Sequence, residues 1–477
     1  MAKLFHFPKI ILRRARLKKK VLLALIGISI TIVLVASLFM AGCGGAETTT
    51  PTTSATTQPT TQPTTQPTTS PTTQPTTAGP TPPEQDEIVI GASRDITGPQ
   101  ASFQDYGFAP IYKMWAEEVN AAGGINVAGK MLPVRILEYD DASDPAACTR
   151  NLEKLVTEDN VDFLFGPTGT AMLFAAAPIA NKYETIMICG EGGATTLEPK
   201  LPDLPYVFSV LNYSNHFQIP VFTDIMVDAG AKTAYIMYMA DLHGAEYNLT
   251  AQSEFTLHGI QVVGSTSIPI SITDMNPIVE EAKDLDPDIF CCFAYPNQNV
   301  LFMQTALALD FSPDCILLGP GGNFGFFYDM FGPALEDVMG EGAWNRKSSE
   351  GANELADKIV AAVGAAGMAA FGDEEAFVDW WGALVYYSAL QHFQQAIEEA
   401  ASLDSDAVRE VMATAHFDTA LGEMWWDIQG ADGGGLLPQE CYAGQIGQWQ
   451  NGIFEVVDEG DKRTADPIYP KRPWPSE

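Results

Sequence analysis

The sequence predicts an α/β protein whose two halves each carry a parallel sheet covered by helices on both faces. Short apolar runs end in small residues, helix-length stretches separate them, and the alternation begins again in the second half of the chain. A folded body begins at about Glu87, where Ile88-Val89-Ile90-Gly91-Ala92 has the character of a buried parallel strand. Gly107 to Asn120 follows as a helix that stops at Gly123-Gly124, and Pro133 to Tyr139 alternates as a strand. Ala146 to Asn160 then reads as a helix, Asp162 to Gly166 as a strand, Ala171 to Tyr183 as a helix and Ile186 to Gly190 as a strand. The second round supplies strands at Thr233 to Met239, Asp288 to Ala294 and Cys315 to Gly319, with helices at Tyr247 to Leu257, Met275 to Leu285 and Asn299 to Leu309. In open parallel sheets, ligands sit beyond the carboxyl ends of strands. Here those ends are loops of small or polar residues, at 91–98, 166–170, 190–195, 241–244, 295–299 and 319–323, and together they describe a cleft.

A chain of 477 residues with 46% hydrophobic content is long enough for two domains with sizeable cores. Its formal charge of -34 is uneven: the first 42 residues hold 8 of the 26 basic residues and no acid, leaving 18 basic against 60 acidic residues, or -42, in the remainder. Such a body is repelled by nucleic-acid phosphates and anionic lipid headgroups, so neither is expected as a direct partner. The acidity serves solubility.

The first forty residues read as an export signal, with Arg13, Arg14, Arg16, Lys18, Lys19 and Lys20 ahead of a charge-free apolar run from Val21 to Met40. That run, at about 30 Å as a helix, also has the length of a permanent membrane span. The Met40-Ala41-Gly42-Cys43 that follows resembles the lipobox of bacterial lipoproteins, with Met40 in place of the usual Leu, which implies lipidation of Cys43. Either reading leaves the body outside the membrane. Glu47 to Pro83 is a low-complexity tract with repeated TTQP, too polar to bury a core, and it is expected to act as an extended tether.

Six further cysteines (148, 189, 291, 292, 315 and 441) include no CxxC pair and no histidine at ligand spacing, so no metal site is expected. Four of them lie in strand-like apolar stretches, where a free thiol behaves as a small hydrophobe. Neither GPTGTA nor GPGGNFG carries a P-loop lysine, and there is no GxSxG or HExxH. The expected protein is therefore not an enzyme and uses no cofactor.

The stretches IVIGASRDITGPQA, EEVNAAGGINVAGKMLPVRILEYDDASDP, FLFGPTGTAMLFAAAPIA, ILLGPGG and EAFVDWWGALVYYSALQ occur in an order and spacing similar to the leucine/isoleucine/valine-binding family of ABC-transporter solute-binding proteins. The resemblance covers nearly all of Glu87 to Val457. It implies two Rossmann-like doubly wound lobes joined by a three-segment hinge, the type I periplasmic-binding-protein fold. In that scheme residues 1–42 are the signal, 43–85 the lipidated cysteine and tether, 86–207 and 343–425 lobe I, 208–342 and 426–470 lobe II, and 471–477 a tail. The chain is expected to work as a monomer that closes on a small polar solute and delivers it to ABC permease and ATPase subunits, held to the outer face of the membrane by its lipid alone. A ligand-sensing protein of the same fold, acting with a separate receptor partner, is the alternative.

The resemblance also implies site residues. A ligand carboxylate would be met by Thr170 and by the loop containing Glu191, Gly193 and Ala194, where glycine lets backbone donors approach an anion. From the second lobe, His243 and Tyr295 fall at aromatic contact positions. The family's ammonium-binding Glu should lie in the loop that here reads Gly319-Pro320-Gly321-Gly322, so that Gly321 stands in the site without the carboxylate. Either Glu191 supplies the charge or the ligand lacks an ammonium. Phe103, with Gln104 and Tyr106, walls the site or packs on its own lobe, and Trp380 and Trp381 are expected on a helix with Val385 and Tyr386, in the core. The family's disulfide is implied to be absent, since its positions match Ser143 and Gly169.

Overall fold

The structure, a computed structural model, describes residues 81–101, 106–190, 192, 195–210 and 214–475, with only the backbone of 214–216. The export signal, Cys43 and nearly all of the tether lie outside these residues, as do Phe103, Gln104, Glu191, Gly193 and Ala194.

The body opens with β1 (Ile88–Arg94), α1 (Phe108–Ala121), the hairpin β2 (Ile125–Val127) and β3 (Lys130–Leu132), and β4 (Val134–Asp140). It continues through α2 (Pro145–Thr157), β5 (Phe163–Phe165), α3 (Thr170–Lys182), β6 (Met187–Cys189) and β7 (Val207–Ser209). A second lobe follows: α4 (Ser214–Ala229), β8 (Thr233–Met239), α5 (Leu242–His258), β9 (Gln261–Ile268), α6 (Asn276–Leu285), β10 (Ile289–Phe293), α7 (Pro296–Ala308), β11 (Cys315–Leu318), α8 (Gly325–Phe331) and β12 (Met339–Glu341). The return to the first lobe carries α9 (Ala352–Ala370), α10 (Ala383–Ala400), α11 (Ser405–Met412), the hairpin β13 (Phe417–Thr419) and β14 (Gly422–Met424), β15 (Asp427–Ile428) and β16 (Gly435–Leu436). Finally β17 (Ile446–Gln450) and β18 (Ile453–Val456) rejoin the second lobe.

Two seven-stranded sheets result, ordered β15-β16-β7-β6-β5-β1-β4 and β18-β17-β12-β11-β10-β8-β9. Both are parallel except at β15 and at the β17–β18 hairpin. Local chemistry sets the helix limits. In α1 the buried Phe108, Ile111, Tyr112, Trp115 and Val119 form one stripe of helical period. A Cβ on Gly124 would sit 2.3 Å from the Leu132 carbonyl oxygen, and its φ of +105° is one that glycine alone adopts freely, so the chain turns there into β2. Asp144 caps α2 by accepting from the Ala147 N–H at 2.7 Å, with Pro145 in the first turn, a cap worth about 1 kcal/mol.

Three expectations are corrected. The third crossing does not fall near Trp426: Gly435 and Leu436 pair with Phe208 and Ser209, so the chain stays in the first lobe until after β16. Residues 471–475, expected as part of a tail, are docked on the second lobe. Arg472 grips the Asp337 carboxylate with two bonds of 2.6 and 2.7 Å, the Lys471 N–H donates to the Asp314 carbonyl, and Trp474 Nε1 donates to the Phe311 carbonyl. Trp380 and Trp381 are buried but precede α10, which starts at Ala383, because Asp379 accepts the Trp381 and Gly382 N–H groups and turns the chain there.

All six cysteines of the body are free and buried, and the thiols of Cys148 and Cys441 are pushed up to about 12 and about 11, first by burial. His392, fully buried in α10, is pushed the other way, from 6.5 to about 4, by burial, against the pull of a bond to the Ala415 carbonyl. Its imidazole is neutral in the fold and is protonated first in the unfolded chain. Its contribution is therefore intact above pH 6.5 and declines as the pH falls toward 4, by about 2 kcal/mol at pH 5. Urea unfolding at pH 7 and pH 5 is expected to show a loss of stability smaller by about that amount in a His392→Gln variant than in the unaltered protein.

Candidate functional site

The loops at the carboxyl ends of both sheets face one another, and the described part of the site is built from them. In the first lobe, Arg94 at the end of β1 donates from Nη1 to the Gly166 carbonyl at 3.2 Å, and Thr168 Oγ1 donates to Asp95 at 2.7 Å. These bonds fix the turn that ends at Gly169, whose φ of +90° starts α3 at the buried Thr170. The side chain of Gln100 lies 3.5 Å from where a Gly169 Cβ would be, and its backbone N–H donates to Ser143 Oγ at 3.2 Å. Ser143 and Gly169, the positions implied for a family disulfide, thus border the same residue. The next loop is equally tight: a Cβ on Gly190 would meet the Phe108 ring at 2.2 Å, and one on Gly192 would meet Leu173 at 2.8 Å.

In the second lobe the structure brings His243 and Tyr295 together. Their rings stack at 5.3 Å, and His243 also packs on Tyr247 at 4.5 Å. Asp241 organises the pair: one carboxylate oxygen caps α5 through the Gly244 N–H at 2.9 Å, and the other accepts the Tyr295 hydroxyl at 2.8 Å. Burial pushes the His243 imidazole down to about 4, with Asp241 pulling the other way, so the ring is neutral at physiological pH. Its Nε2 is buried without a hydrogen-bond partner.

Gly321 does not leave room for the missing carboxylate. Its φ is +101° and a Cβ would lie 2.3 Å from Pro296, while its N–H is taken by Asn323 Oδ1 at 3.1 Å. The loop's polar contact comes instead from Asn323, which donates to Asp379 at 2.6 Å.

Contacts cross between the lobes at several points. The Gln100 side chain, which borders Gly169, also acts on the Tyr295 phenol of the other lobe, favouring its charged form against burial. Glu246 of α5 accepts the Thr195 and Thr196 N–H groups at 2.9 and 3.0 Å. Phe326 and Gly325 donate backbone bonds to Ala376 and Val378. Tyr106, considered a wall of the site or part of its own lobe, packs on Phe324 and Phe326 of the other lobe at 4.8 and 5.2 Å.

Sequence reasoning gave the strand-end loops that hold Asp241 and Asn323 but no role for either side chain, and it missed Glu246 and Asp379 altogether. Asp379 carried a signal, an acid within the aromatic run FVDWW, since a charge in such a run must find donors. Asp241 lies two residues past the end of β8. Glu246 has the pattern of an ordinary helix-surface acid. Among the described residues no cluster of His, Cys, Asp or Glu has the arrangement to hold a metal ion.

Comparison with known proteins follows the same outline. The family model for the periplasmic binding proteins matches residues 87–450. Leu/Ile/Val-binding protein homolog 8 of Brucella suis biovar 1 (strain 1330) is 26% identical over 265 residues, or 49% of this chain and 64% of that protein. The chain thus spans less than two thirds of the length of that curated relative. LivJ from Streptococcus pneumoniae, solved in complex with isoleucine, superposes with a TM-score of 0.62 at 18% identity, covering 80% of this chain and 100% of LivJ. A solute-binding protein of Rhodopseudomonas palustris BisB5, solved with 3,4-dihydroxybenzoic acid, gives 0.62 at 19% identity, over 82% of this chain and 98% of that one. At these identities the superpositions establish the two-lobed type I fold. With the family match running through both lobes and all three crossings, this chain belongs to the periplasmic binding protein family.

Proposed function

We propose that this protein is an extracytoplasmic solute-binding component of an ABC importer, which closes its lobes on a small polar solute and presents it to the permease. The observation that carries this reading is the pair of hydrogen bonds between the lobes, in which Glu246 accepts the Thr195 and Thr196 N–H groups. Bonds of this kind exist only while the lobes are shut, and a solute touching both sides adds to them and shifts the balance toward closure. The start of α3, with the Thr170 hydroxyl and the turn at Gly169, is suited to an anionic end of the solute, and His243 and Tyr295 offer polar aromatic edges from the other lobe. Isoleucine and dihydroxybenzoate in the related structures mark the range of cargo considered, from amino acids to small organic acids. Lipidation of Cys43 and a Thr/Pro/Gln tether would hold the body at the outer membrane face.

The test is thermal unfolding of the full chain in detergent against amino acids, short amides, urea and small carboxylates. A cognate solute at about 100 times its dissociation constant adds about 2.7 kcal/mol and raises the midpoint; a panel without any shift would remove the reading. Thr170→Ala and Tyr295→Ala are each expected to weaken binding at least tenfold, about 1.4 kcal/mol, in calorimetric titration. Glu246→Ala is expected to enlarge the radius of gyration in small-angle scattering, and an unchanged radius would show that this contact does not hold the lobes shut. Cys43→Ala is expected to move the protein from the membrane to the soluble fraction.

A further inference from the structure

The second half of α9 turns an apolar face to solvent on a body that is otherwise strongly acidic. From Ile359 to Gly372 no side chain is polar, yet Ala361, Ala362, Ala365, Ala366, Ala369 and Ala370 are all exposed. Met368 and Phe371 are 48% and 40% exposed beside them. A surface helix ordinarily directs charged or polar residues outward, and an apolar face left in water is a mark of binding surfaces.

This face continues across the boundary between the lobes. The segment after α9, from Asp373 to Val378, runs back along the helix: a Cβ on Gly367 would lie 2.7 Å from the Asp373 carbonyl oxygen, and one on Gly364 would lie 3.3 Å from Glu374 Cβ. The other edge of the segment is held by the second lobe, where the Gly325 and Phe326 N–H groups of α8 donate to the Val378 and Ala376 carbonyls at 3.2 and 2.8 Å. The Phe326 ring also stacks on Phe371 at 5.6 Å. Met330, one turn beyond Phe326 on the same face of α8, is 41% exposed. The segment is thus a strip between two apolar banks that different lobes contribute.

The strip itself is acidic. Asp373 and Glu374 stand exposed on it, and Asp329 comes to it from α8. The Asp329 carboxyl is raised to about 6, first by burial and then by the Asp373 charge, and no cation is among the groups that act on it. Glu375, by contrast, is met by Arg346 at 2.6 Å. Acids gathered from two lobes without a countercharge attract a cation. A second copy of the chain would bring the same acids to the contact, and anionic lipid headgroups would be repelled. The complement of this surface is a protein segment that mixes apolar side chains with Lys or Arg.

We infer that this seam is the docking surface for the membrane subunit of the importer, which meets it with an apolar, basic segment of its outer face. This rests on the binding role proposed above and adds the place and the chemistry of the contact. Because α8 and α9 belong to different lobes, the surface is whole only while the lobes are shut, and a partner seated on it distinguishes the loaded protein from the empty one.

The experiment uses the full chain in the membranes of its own cells, with Ala365→Cys carrying a benzophenone on its thiol, illuminated with and without the solute found in the unfolding panel. The cross-linked product is identified by mass spectrometry. It is expected to contain the membrane-spanning subunit of an ABC importer and to be about fivefold more abundant with solute. Met330→Glu, which spoils the apolar bank, and Glu374→Lys, which reverses a charge on the strip, are each expected to lower its yield by about fivefold. Both are expected to hold the solute affinity within about threefold in calorimetric titration, which shows that they fold. A product with a second copy or with any other protein, no product, or a yield indifferent to solute or to either substitution would overturn the inference and leave the binding role standing. Binding of no panel member at all would instead fell that role, and this inference with it.

Discussion

The Asp379 carboxylate is buried between the lobes, and one of its oxygens collects three donors: the Asn323 amide at 2.6 Å, the Trp381 N–H at 2.8 Å and the Gly382 N–H at 3.2 Å. Its backbone carbonyl takes a fourth, from Trp344 Nε1 at 2.7 Å. A buried anion is tolerable only with its donors in place, so the lobe II loop at Asn323, the second crossing at Trp344 and the start of α10 must be set together or not at all. Around this point the backbone bonds of Gly325 and Phe326 and the rings of Tyr106, Phe324, Phe326 and Phe377 join the two lobes. The opposing loops of the cleft can be specific because this seam fixes the sheets that bear them.

Three buried groups of the second lobe are held neutral in a protein that is otherwise strongly acidic. Burial holds the His243 imidazole neutral, keeps the Tyr295 phenol protonated and does the same for the Glu341 carboxyl. Neutrality here comes from dehydration rather than from pairing, whereas the peripheral Asp337 is met by Arg472 directly. Groups held neutral by burial respond to whatever charge enters, while paired groups have already answered to a neighbour.

Much of the framework was legible because it is written locally. Thr233 to Met239 is apolar on both faces and forms β8 over the same residues; the strand-end rule gave the loops that hold His243 and Tyr295, and the family resemblance named those two residues, whose rings the structure stacks. What escaped depends on partners distant in the chain. Asn323 and Asp379 are 56 residues apart, and Glu246 finds its backbone donors 50 and 51 residues earlier. Strands β15 and β16 are two residues each, in a Gly-rich stretch whose only reason to be extended is the edge of β7. The apolar spacing that put Trp380 and Trp381 on a helix is real, but Asp379 captures the two N–H groups that would have continued the helix backward.

The cysteines of the body carry one more consequence. Cys148, Cys189, Cys291, Cys292, Cys315 and Cys441 are all buried and unpaired, and the same burial that raises their thiols withholds the thiolate that reacts with alkylating agents. A single cysteine placed on the rim of either lobe would therefore be the one reactive thiol of the described body. A fluorophore attached there would turn the approach of the two lobes into an optical signal, on a scaffold whose own sulfur atoms stay silent.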